Sequence, residues 1–170
     1  MRGTPTPTLM ERYVMDTSFF LDLWKEDAAF SKKTFVGIWD ALQTGITSAA
    51  VVAPNSVREE LRGTKDQRLK DWVTDHGYMF IPFDETQLAS VTEIVRKFPG
   101  YATEPKNLAD PQVVALARVR GLQVLTSEKW VPTLSESNPK IPNVCEAFDI
   151  ASHSIKSFCE TEGILLVQAT

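Results

Sequence analysis

At 170 residues, 43% of them hydrophobic and 24% charged, the chain is long enough for one well-cored domain and short for two. No apolar run approaches a membrane span, Met1 to Met10 lacks the apolar core of a signal peptide, and Cys145 and Cys159 form neither a CxxC pair nor a disulfide-dense pattern. The expectation is a cytoplasmic protein with reduced, packed thiols, and a net charge of -4 excludes coating of nucleic acid by bulk electrostatics while leaving room for a nuclease.

Residues 1–11, with Pro5, Pro7 and three threonines, read as a loose arm ahead of a single domain over 12–170. Tyr13-Val14-Met15 is a short β-prone run, predicted as a buried strand that ends at Asp16. Thr17 or Ser18 then caps a helix through Trp24, and Phe35, Ile38, Trp39 and Leu42 mark a second helix that stops before Gly45. Ile46 to Ser48 is the next expected strand, followed by helices over Pro54 to Leu61 and Gln67 to Asp75. Tyr78 to Ile81 reads as a strand, and Asp84 with Gln87 resembles a capping box for a helix carrying Leu88, Val91, Ile94, Val95 and Phe98 on one face.

After a linker at Tyr101 to Leu108, Asp110-Pro111 opens a helix that ends at Gly121, and Gln123 to Leu125 is a strand. Ser127 to Pro142, with three prolines, is expected as a loop. A last helix places Phe148, Ala151, Ile155, Phe158 and Cys159 on one face, and Ile164 to Val167 adds an edge strand. The alternation of strands and helices implies a parallel α/β sheet with ligands beyond the carboxyl ends of its strands.

Four acids, Asp16, Glu60, Asp110 and Glu128, stand where a strand ends or a helix begins. Carboxylates brought together repel and raise one another's pKa unless a cation neutralises them, and a hard divalent ion with oxygen ligands, Mg2+ or Mn2+, suits that role. Each acid also has a structural reading. Asp16 and Asp110 are good helix caps, Glu128 is a solvated loop acid, and Glu59, not Glu60, fits a capping box with Ser56. Asn143 reads as a cap for the last helix and Lys140 as a group facing a substrate phosphate. Asp16-Thr17-Ser18-Phe19-Phe20 holds no glycine, which excludes a dinucleotide or P-loop site after the first strand.

The chain resembles a PIN-domain ribonuclease, within the group of PIN-like proteins known as DUF4411. The resemblance runs from Tyr13 to about Gly163. It rests on the Val14-Met15-Asp16-Thr17-Ser18 opening, Val57-Arg58-Glu59-Glu60-Leu61, Ala109-Asp110-Pro111, Val124-Leu125-Thr126-Ser127-Glu128-Lys129 and Lys140-Ile141-Pro142-Asn143-Val144-Cys145. It implies a three-layer α/β/α sandwich with a central, mainly parallel sheet. It also implies a Mg2+- or Mn2+-dependent ribonuclease with Asp16, Glu60, Asp110 and Glu128 as catalytic and metal-holding acids. Ser18, Thr126, Lys129, Lys140 and Asn143 are the matching substrate-facing residues. As partners it implies an RNA substrate, an antitoxin protein in a toxin–antitoxin pair and a homodimer. Two other readings stand beside it: a catalytically inert PIN-like module that binds RNA or protein, and a haloacid-dehalogenase-like phosphohydrolase. In the latter Asp16 is the nucleophile, Thr126 or Ser127 binds phosphate and Lys129 or Lys140 offsets charge. That chemistry usually wants a second Asp where Ser18 stands.

Overall fold

A computed structural model describes residues 11–102, 109–135 and 138–165. The expected arm over Met1 to Met10 and most of the linker before Ala109 lie outside the described residues.

Short, mostly apolar runs supply every strand but the last. β1 (Tyr13–Met15), β2 (Val51–Pro54), β3 (Phe80–Ile81), β4 (Gln123–Leu125) and β5 (Ser152–His153) form one sheet in the order β3-β2-β1-β4-β5. All its pairings are parallel, with Tyr13 opposite Val51 on one side and Gln123 on the other. Around it lie α1 (Thr17–Trp24), α2 (Val36–Thr47), α3 (Asn55–Arg62), α4 (Gln67–Asp75), α5 (Glu85–Lys97), α6 (Ala109–Arg120), α7 (Ile141–Ala147) and α8 (Ile155–Glu162). This is the expected α/β sandwich.

The helix α6 packs on β1, β2 and β4 with α5 outside it. It has no polar face in its middle, because Val113 to Ala117 are all buried, as befits a helix covered on both sides. Elsewhere aromatic rings close the core. Phe158 of α8 meets Tyr13 and Phe19 edge-on, and Phe20 packs among Trp24, Trp39 and Trp72. Cys145 and Cys159 are free and buried, as expected.

Several boundaries depart from the sequence reading. The helix α2 runs through Gly45 to Thr47, since Ile38, Leu42 and Ile46 make one buried stripe at i, i+4 spacing. Gly45 is there for close packing: a Cβ would stand 2.8 Å from Val51 Cγ2. The second strand is therefore Val51–Pro54, not Ile46 to Ser48. Thr17 and Ser18 lie inside α1 and make no capping bond. Ser56 likewise lies inside α3, its hydroxyl buried without a partner among the described residues, so the Ser56–Glu59 capping box does not form. Asp84 does accept from the Gln87 N–H at 2.8 Å, while the Gln87 amide donates to the Pro82 carbonyl at 2.9 Å. Leu88 is exposed rather than on the buried face of α5. Tyr78 is exposed in a 3-10 turn at Gly77–Met79, which leaves only Phe80–Ile81 as strand.

The expected last helix is two helices with a strand between them. Helix α7 ends at Ala147, Asp149 takes a left-handed backbone (φ 56°), β5 pairs with β4, and Ser154 caps α8 by accepting from the Ser157 N–H at 3.2 Å. Asn143 is inside α7 and does not cap it. Ile164 and Leu165 are not strand, and the rest of that expected element lies outside the described residues.

Candidate functional site

The strand order reverses at β1, whose neighbours are β2 and β4, so the crevice beyond the carboxyl ends of β1 and β4 is the topological switch point of the sheet. Asp16 follows β1 there and is only 3% exposed. Its Oδ2 accepts from Ser18 Oγ at 2.5 Å and from Thr126 Oγ1 at 3.0 Å. The same two hydroxyls hold the chain that leaves β4, because Ser18 Oγ accepts from the Ser127 N–H and Thr126 Oγ1 from the Glu128 N–H, each at 3.1 Å. Two strand ends and the start of α1 are thereby fixed around one buried carboxylate.

Glu60 reaches the same place from α3. Val57 and Leu61 are buried on that helix, Glu60 is half-buried beside them and accepts from Thr17 Oγ1, and Glu59 is exposed. Asp110 enters in the first turn of α6, and Glu128 lies in the loop after β4. The Glu128 Oε2 accepts from the Ile141 N–H at 2.7 Å, so this side chain caps α7.

All four carboxyls are held above their usual range. Burial comes first in each case, and for Glu60, Asp110 and Glu128 the charge of Asp16 adds to it. Asp110 is pushed up to about 8 by burial, then by Asp16, Glu128 and Glu60, against the opposing pull of Lys140. These acids therefore share one electrostatic environment, drawn from four separate stretches of chain. Each nonetheless has its own surroundings, and among the described residues no three His, Cys, Asp or Glu side chains stand close enough to share a single ion as placed.

Lys140, immediately before α7, acts on both Asp110 and Glu128 through its charge. Lys129 is exposed. Asn143 spends its amide on the loop, donating to the Val131 carbonyl at 2.7 Å and accepting from the Val131 N–H at 3.0 Å. Trp130 is exposed on that loop and donates to Glu146 at 2.8 Å.

Two further residues share this environment, though the sequence does not mark them as site residues. Tyr101, within the expected linker, is buried, and its hydroxyl has no partner among the described residues. Burial and the charges of Asp110, Glu128 and Asp16 push its pKa up, so it is a neutral phenol. Cys145 is raised to about 12 by burial and by Asp16 and Glu128. Neither residue belongs to a pattern that chemistry would flag in advance.

The fold is that of known structures at low sequence identity. FitAcB from Neisseria gonorrhoeae is 14% identical, with a TM-score of 0.52 over 85% of this chain and 98% of that one. DNA-bound VapBC from Salmonella typhimurium is 15% identical, with a TM-score of 0.53 over 86% and 99%. FitAB bound to an IR36 DNA fragment is 14% identical, with a TM-score of 0.53 over 84% and 94%. No curated protein sequence matches the chain. These structural matches carry the PIN-like fold. A family model matches residues 13–165, nearly the whole of the folded chain, and the protein accordingly belongs to the family described as Domain of unknown function (DUF4411).

Proposed function

We propose that the protein is a divalent-metal-dependent endoribonuclease and the toxin of a toxin–antitoxin pair. The observation that carries this reading is the convergence of Asp16, Glu60, Asp110 and Glu128 at the switch-point crevice, where burial, joined for Glu60, Asp110 and Glu128 by the charge of Asp16, holds every carboxyl above its usual range. A cation relieves that repulsion directly. The donor set is all oxygen and acidic, which suits Mg2+ or Mn2+ and not zinc. Asp16, Glu60 and Asp110 would hold the ion with Glu128 completing the set, in part through water, since no three of these side chains meet at one point as placed. When bound, the ion lowers the pKa of a water and offsets charge on the scissile phosphate.

The chain's own groups have distinct tasks. Ser18 and Thr126 orient Asp16, Thr17 orients Glu60, and the helix start of α7 orients Glu128. Lys140 brings positive charge beside Asp110 and Glu128, where a phosphate oxygen would face it. Single-stranded or looped RNA fits best, because unstacked strands reach a crevice that a duplex does not enter. The products expected are a 5'-phosphate and a 3'-hydroxyl. Likeness in fold to the proteins solved in VapBC and FitAB supports an antitoxin partner that covers the acidic crevice, and a homodimer accords with it.

Cleavage of end-labelled single-stranded RNA by purified protein with Mg2+ or Mn2+, beside EDTA and Asp16→Asn controls, tests the proposal. Cutting abolished by both controls supports the nuclease. No cutting across varied RNAs, with no metal bound by calorimetry, moves the reading to an inert RNA- or protein-binding module.

A further inference from the structure

Next to the switch-point crevice, one strand further along the sheet, lies an open cleft of about 350 Å³. The residues that follow β4, Ser127 to Lys129, form one side, and the residues that follow β5, Ser154 to Lys156 at the start of α8, form the other. Because β4 pairs with both β1 and β5, the cleft continues the crevice that holds Asp16, and Glu128 borders both.

Its lining has the character of a nucleotide site. Phe30 and Ile155 give it an apolar wall, and most of the exposed lining is apolar. Lys129 and Lys156 bring two cations to it, matched in number by the carboxylates of Asp22 and Glu128. Among the described residues Lys156 pairs with Glu160, at 3.8 Å on an exposed helix face, a contact of little strength. The first turn of α8 adds the positive end of a helix. Ser127 lines the cleft too, its hydroxyl buried with no partner among the described residues, whereas Ser18 and Thr126 beside it both spend theirs on Asp16. The volume stands at the low end of ligand pockets, roughly 300–1,000 Å³, which suits one nucleotide.

We infer that this cleft is the subsite for the nucleotide adjoining the scissile phosphate, with the base against Phe30 and Ile155 and its phosphate on Lys129, Lys156 and the start of α8. The inference rests on the nuclease reading above and names which surface of the protein holds the substrate. Stacking of a base on an aromatic ring tolerates any sequence, so the subsite contributes affinity more than base choice.

The test uses a labelled single-stranded RNA decamer, bound in EDTA at low salt and followed by fluorescence anisotropy, then cut in Mn2+. Against wild type stand Lys129→Glu/Lys156→Glu, Phe30→Leu and a control, Lys70→Glu on α4. The double variant should lose at least 10-fold in affinity, flatten the salt dependence and raise KM at unchanged kcat. Phe30→Leu should bind several-fold more weakly with its salt dependence kept, and the control should match wild type. Binding and cleavage by the double variant and Phe30→Leu equal to wild type would overturn the subsite while leaving the nuclease intact. A wild type that neither binds nor cuts removes the nuclease reading and this inference with it.

Discussion

The Thr17 hydroxyl, at the first position of α1, donates to the Glu60 carboxylate on α3, 43 residues further along the chain. It is the hydrogen bond that opposes the effect of burial on Glu60. Thr17→Val keeps the shape and removes the donor, so the Glu60 carboxyl should titrate still higher. The fold should lose about 1 kcal/mol, since a hydrogen bond to a buried acceptor is worth that order. Urea denaturation at pH 7 measures the loss, and Thr17→Ser should restore it.

Asp110 sets the pH dependence of the metal-free protein. Its carboxyl titrates at about 8 in the fold against 3.8 in an unfolded chain, chiefly through burial and then through Asp16, Glu128 and Glu60. Between those values the folded state keeps a proton that the unfolded state has released. Stability gained from that proton is complete at low pH and drains away as pH rises towards 8. Melting temperature in EDTA should therefore fall from pH 5 to pH 8. Asp110→Asn should flatten the profile, and a wild-type curve rising over that interval would refute the assignment.

Divalent metal should invert that trend. Binding needs the carboxyls ionised, so association with Mg2+ or Mn2+ should release protons and strengthen towards pH 8. Calorimetry in two buffers of different ionisation enthalpy reads the proton count. The metal-induced rise in melting temperature should be larger at pH 8 than at pH 6 and absent in Asp16→Asn.

Tyr101→Phe removes a buried hydroxyl that makes no bond to the described residues. An unpaired polar group carries an uncompensated desolvation cost of about 1–3 kcal/mol, so the phenylalanine variant should be as stable as wild type or more so in EDTA. A loss of stability instead would show that the hydroxyl is bonded in solution.

Gly45→Ala should cost about 1–3 kcal/mol, the usual penalty for overpacking. The new methyl would meet Val51 Cγ2, part of a stiff β-branched side chain at the start of β2. Thermal melts of the variant alone and with Val51→Ala, which opens the space, separate crowding from lost helix propensity.

Much of this architecture is legible in the sequence because short apolar runs and helical stripes encode it locally. Tyr13 to Met15, Gln123 to Leu125 and the helix opened by Asp110-Pro111 all fall where their patterns place them. The misplacements have two causes. Ile46 reads as strand beside β-branched neighbours, yet a helical stripe four residues apart claims it. Ser152–His153 is strand only because β4 offers it a neighbour, a contact no local pattern records. In the site, the motif acids are visible one by one. The resemblance marks Ser18 and Thr126 as substrate-facing, but the bonds by which Thr17, Ser18 and Thr126 hold the acids are not legible until the fold brings their partners near. Tyr101 has no local signature at all.

Among the described residues both margins of the sheet, Phe80–Ile81 and Ser152–His153, are only two residues long. An incoming strand from another chain would find room for scarcely one pair of backbone bonds on either side, too little to register against. Strand addition at these two margins is thereby disfavoured, which leaves helices, loops and the crevices between them as the described surfaces open to a partner.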